Sequence, residues 1–174
     1  YAEKFDGKAP YIVSQETIDA AYERCDPTVR AALERAAKNI RDYHEQMLAR
    51  TWEYERAPGE KLGQTVRGLT RVGLYVRGGT AAYPSSVLMN AVPAKVAGVE
   101  ELIMVTPPTE NMSDAVLAAA KIAGVDKVIA IGGTQAIAAL NYGADWIPQG
   151  DKIVGPGNAY VAAAKKMAYG TVDI

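Results

Sequence analysis

The sequence predicts an α/β fold, a parallel sheet flanked by helices and preceded by a helical N-terminal region, and three observations carry that prediction. Four short apolar runs, VGLYV (72–76), ELIMV (101–105), KVIAI (127–131) and KIV (152–154), recur along the second part of the chain. Alanine-rich stretches at 85–97, 112–123 and 135–142 separate them, and another follows at 158–169. Glycines 98, 124, 143 and 170 close these stretches, in the place just past a helix end where the backbone takes a positive φ. Strand and helix alternating at this spacing is what a parallel crossover requires. Runs that are apolar throughout suit strands covered on both faces.

Taken in order, residues 1–13 lack periodicity and are broken by Gly7 and Pro10, so they read as a connecting arm. Ser14 followed by Gln15, Glu16 and Thr17 is a helix start, with an end expected at about Glu23 or Arg24. Asp26 as cap and Pro27 at the first helical position open a second helix. Val29, Leu33, Ala36, Ala37, Ile40, Tyr43, Met47 and Leu48 recur at three- and four-residue spacing, and the helix is expected to run to about Glu55. Pro58-Gly59 ends it, and Lys61–Thr70 reads as two short strands or a hairpin. Composition shifts to alanine, glycine and valine from Val72, which divides the chain into an N-terminal helical region, 1–71, belonging to a first, incomplete domain, and a cofactor-side domain, 72–174. Thr171–Ile174 would begin a fifth strand.

The bulk properties exclude several classes. Over 174 residues, 49% hydrophobic composition supports an ordinary core, and 19 basic against 20 acidic residues leave no global field for nucleic acid or an anionic membrane. No apolar run approaches the roughly 20 residues that span a bilayer. Cys25, the only cysteine, cannot form an intramolecular disulfide, and no leader pattern opens the chain, so a cytoplasmic setting is expected. The start at Tyr1 and the end at Ile174 suggest an excised piece.

In such sheets ligands bind where strands turn into helices at their carboxyl ends. Three of those turns are glycine-rich: RGGT at 77–80, GGTQ at 132–135 and GPGN at 155–158. None has the spacing of a dinucleotide fingerprint with an acidic residue about 20 positions on. Beside them stand Tyr75, Gln135 and Asn158. An aromatic ring at the first is suited to stack on a flat ligand, and the two amides to bond ribose hydroxyls or an adenine edge. The plain structural readings are a core aromatic, a solvated first-turn residue and a helix cap. His44 has no second histidine, cysteine or carboxylate at ligand spacing, and no residue reads as a nucleophile, general base or metal ligand.

RVGLYVRGGTAAYPSSVLMNAVPAKVAGV, GGTQAIAALNYG and DKIVGPGNAYVAAAKK, together with YAEKFDG and DPTVRAALERAAKNIRDYHE, closely resemble the histidinol dehydrogenase family over essentially the whole chain. The resemblance implies incomplete Rossmann-like domains in a homodimer that oxidises L-histidinol through the aldehyde to L-histidine, with NAD and zinc. Residue by residue it assigns Tyr75, Gln135 and Asn158 to NAD. It puts the substrate serine, the zinc ligands and the catalytic glutamate–histidine pair beyond Ile174, so the chain alone is expected to be inactive. Two positions depart from the family pattern: Arg77 and Gly68 stand where proline is usual. A dehydrogenase for another polar alcohol, or a non-catalytic binding and assembly module, are the other readings.

Overall fold

The computed structural model describes residues 1–77, 83–109 and 112–174; the Gly78-Gly79 turn of the first glycine-rich segment lies outside them. Five strands make the main sheet: β1 (Tyr11–Ile12), β4 (Arg71–Tyr75), β5 (Glu101–Thr106), β6 (Lys127–Ala130) and β7 (Lys152–Val154). Their order is β1-β6-β5-β4-β7, with β6, β5, β4 and β7 parallel and β1 antiparallel at the edge.

The all-apolar strands are buried on both faces, and their period of two divides the core. Val72, Leu74, Leu102, Met104 and Val128 face one layer of helices, α2 (Gln15–Arg24), α3 (Pro27–Glu45), α4 (Pro84–Val96) and α5 (Asp114–Ala123). Tyr75, Ile103, Val105, Ile129 and Ile153 face the other, α6 (Gly133–Tyr142) and α7 (Ala159–Ala168). Burying these alternating rows supplies the main stabilising term, at roughly 25 cal/mol per Å² of apolar surface. Ile18, Ala21, Leu33 and Ala37 of α2 and α3 share the first core cluster with the sheet.

From β4 the chain steps outward through α4 to β5 and through α5 to β6, then returns through α6 on the opposite face to β7 beside β4. A constant crossover hand places the helices in that way when the stepping direction reverses. The crevice at the carboxyl ends of β4 and β7 is therefore the switch point of the sheet.

Three sequence expectations change. The supposed arm contains a one-turn helix, α1 (Ala2–Asp6), and then β1, whose Tyr11 and Ile12 pair with Ala130 and Ile129. The second helix stops at Glu45, and Trp52–Ala57 (β2) pairs with Glu60–Gln64 (β3) in a hairpin turning at Pro58-Gly59. Every residue of β2 is exposed, so no buried stripe marked it, while its glutamates and arginine fit a helix surface equally well. Thr171–Ile174 makes two isolated parallel bridges, Asp173 to Lys152 and Val172 to Tyr169, rather than a strand.

At the sheet's amino-terminal edge Glu101 joins three strands, taking Arg71 Nε at 2.5 Å and Lys127 Nζ at 2.7 Å. No helix among the described residues is long and apolar enough to cross a membrane.

Candidate functional site

Tyr75 ends β4 with its ring on the α6–α7 face, only 3% exposed. Its hydroxyl accepts a hydrogen bond from the Gly133 N–H at 3.2 Å. Burial pushes this phenol above its ordinary value of 10.0, against the Gly133 N–H, with Asp6 pushing the same way and Arg77 opposing. The ring is thus a neutral, fixed wall.

Helix α6 begins directly after β6. Gly133 has φ +61, a left-handed backbone that suits a residue without Cβ, and this sharp entry brings its N–H onto Tyr75. Asp6, the last residue of α1, meets the same helix start. Its Oδ2 accepts from the Gly132 N–H and from Gln135 Nε2, both at 3.0 Å. The N–H groups of Gly132 and Gly133 are therefore both used by the protein's own side chains. The glycine turn at 132–133 shapes a surface instead of offering an open phosphate cradle, in keeping with the missing fingerprint.

The third turn is held from two sides. Gly155 has φ +99 and lies so close to β4 that a Cβ there would fall 2.1 Å from the Tyr75 carbonyl oxygen. Asn158 is the N-cap of α7, its Oδ1 accepting from the Val161 N–H at 3.0 Å, and the residue is exposed. Lys165 reaches back along α7 to donate to the Gly155 carbonyl at 2.6 Å, and burial lowers its pKa below the usual ammonium value.

One cavity of about 660 Å³ gathers these groups: Tyr75, Gln135 and Asn158 line it together with Asp6, Arg77 and Tyr160. The three residues singled out from the sequence, spread over three strand ends, thus share one wall. Asp6 was missed, because it lies 129 positions from Gln135 in a segment with no pattern of its own. Arg77 is exposed at the cavity rim.

An apolar groove of about 510 Å³ between α6 and α7 adjoins the cavity and shares Thr134, Gln135 and Tyr160 with it. Elsewhere His44 spends Nδ1 on the Ile40 carbonyl within its own helix, at 2.8 Å. Cys25 is buried, and burial raises its thiol pKa, so a reactive thiolate is disfavoured. Among the described residues no three His, Cys, Asp or Glu side chains gather closely enough to hold a metal ion.

A family model for histidinol dehydrogenase matches residues 1–174. The chain belongs to the histidinol dehydrogenase family. It is 59% identical over 169 residues to the histidinol dehydrogenase of Chromobacterium violaceum, covering 97% of this chain and 39% of that protein. It is 52% identical over 176 residues to that of Streptococcus mutans, covering 100% of this chain and 41% of the relative. The crystal structure of histidinol dehydrogenase from Elizabethkingia anophelis superposes with a TM-score of 0.93 at 35% identity, over 100% of this chain and 41% of that one. The chain thus spans about two fifths of the length of the family members it matches. Gly68 packs on the turn at Gly98, where a Cβ would fall 2.0 Å from the Gly98 carbonyl oxygen.

Proposed function

We propose that this chain forms the cofactor side of an NAD-dependent, zinc-requiring oxidoreductase of histidine biosynthesis that converts L-histidinol through histidinal to L-histidine. Family membership supports the reaction class, and the cavity at the switch point supports the cofactor. Its volume of about 660 Å³ lies within the 300–1,000 Å³ typical of ligand sites.

Tyr75, Gln135 and Asn158 are the residues that would hold NAD, which when bound accepts hydride from the alcohol. The buried Tyr75 ring offers a rigid face, and its bond to Gly133 keeps the hydroxyl from turning toward solvent. Gln135 presents an amide steadied by Asp6. Asn158 uses its carbonyl oxygen as a cap, leaving its NH2 group for ligand. The described residues do not fit a zinc site. A homodimer and a cytoplasmic setting belong to the same proposal; the exposed Tyr142, Tyr160 and Met167 around the α6–α7 groove supply apolar surface of the kind an interface covers.

Calorimetric titration with NAD tests the reading. Saturable heat that weakens in Asn158→Ala and Gln135→Ala supports it, and its absence would favour an assembly module. The 174-residue chain alone is expected to reduce no NAD with histidinol, even with zinc added.

A further inference from the structure

We propose that Asp6 sets the dinucleotide preference of this cavity, favouring an unphosphorylated ribose over one carrying a 2′-phosphate, a role that rests on the cavity being the cofactor site. Sheets of this class usually read the ribose with an acidic residue about 20 positions after the first glycine turn, whose carboxylate accepts from the hydroxyls. The nearest acidic residues in that interval are Glu100 and Glu101, and both lie at the wrong end of the sheet. Glu101 is committed to Arg71 and Lys127 at the amino-terminal edge of β5. Past the carboxyl end of β5, Thr106-Pro107-Pro108-Thr109 carries no carboxylate, and Glu110 lies outside the described residues.

The tertiary structure supplies the missing group from another direction. Asp6 is the one carboxylate among the described residues lining the cavity. It is held there by the Gly132 N–H and Gln135 Nε2, both on Oδ2. Oδ1 takes no hydrogen bond from the described residues and retains its acceptor capacity. A carboxylate so fixed welcomes donor hydroxyls and repels a phosphate dianion.

Arg77 lines the same cavity with the opposite preference, since an arginine is the usual partner of a 2′-phosphate. It is exposed, whereas Asp6 is pinned by two donors, so Asp6 dominates. Neutralising Asp6 leaves the cation unopposed. Asp6→Asn is the suitable variant, because an amide oxygen can still accept from Gly132 and keep α1 docked.

The test is a titration of the isotope-labelled chain with NAD and, separately, NADP, following the backbone amide signals of Gly132 and Gly133. The native chain should bind NAD at least about tenfold tighter than NADP, and Asp6→Asn should shift that ratio toward NADP by about tenfold or more. Arg77→Gln should shift the ratio the other way. Saturable NAD binding with the ratio unchanged in Asp6→Asn, or equal changes for both nucleotides, would overturn the role of Asp6 while leaving the cofactor site standing. Unmoved glycine signals with either nucleotide would refute the cofactor site itself, and this inference with it.

Discussion

The hydroxyl of Tyr75 accepts the Gly133 N–H at 3.2 Å, tying the end of β4 to the first residue of α6 across the intervening β5. Two of the three glycine-rich turns are registered on this one residue, Gly133 through the phenol and Gly155 against the backbone carbonyl. Tyr75→Phe keeps the ring and removes the acceptor, so it should cost about 1 kcal/mol, read as a lower denaturation midpoint. The phenol's raised pKa adds a pH signature. Its stabilising contribution is complete below the ordinary value of 10.0 and is lost as pH rises through the folded value, because the unfolded chain ionises first. Alkaline denaturation curves of Tyr75→Phe and the native chain should therefore converge above pH 10; parallel curves would exclude this origin.

Glu101 gives the opposite trend. Its hydrogen bond from Lys127, then that from Arg71, holds the carboxyl below its ordinary 4.5. The stability it contributes is present above that value and lost as pH falls through the folded value, since the unfolded state takes up the proton first. Glu101→Gln should be less stable at neutral pH by roughly 1 kcal/mol and should lose less on acidification, as followed by circular dichroism.

Gly155→Ala should be the most damaging single-methyl change near the site. Its φ of +99 is unfavourable for any side chain, and the added carbon would lie 2.1 Å from the Tyr75 oxygen, so β4 and β7 must separate. A cost of at least about 2 kcal/mol is expected from urea unfolding. A change within about 0.5 kcal/mol would mean that the turn yields easily.

Asn158 has two roles that substitution can separate. Asn158→Ala removes the α7 cap and should cost about 1 kcal/mol. Asn158→Asp keeps an oxygen for the Val161 N–H and should hold thermal stability, yet it replaces the NH2 donor with negative charge. NAD affinity measured by calorimetry should fall in both. Affinity unchanged in Asn158→Asp would reduce Asn158 to a cap.

Much of the layered architecture was legible because the signals are local. Leu74 and Tyr75, or Met104 and Val105, point to opposite faces by the geometry of a strand, and the glycines at 98, 124 and 143 mark helix ends through their own backbone preference. The helix α3 was overextended because Arg50–Arg56 carries charges that serve either a helix surface or an exposed hairpin, and nothing buried decides between them. β1 is two residues long, and its partner Ile129 is more than a hundred positions away, so no periodicity announces it.

Residue order alone therefore dictates the alternating strands and helices, and with them the edge of the sheet where Tyr75, Gln135 and Asn158 must stand, since each lies within a few residues of a strand end. Which groups meet there was decided only by packing. Asp6 reaches Gln135 because β1 pairs with β6 and carries α1 onto the start of α6. That contact costs loop closure over more than a hundred residues and is repaid by a buried core shared across the whole chain, which no local stretch of sequence encodes.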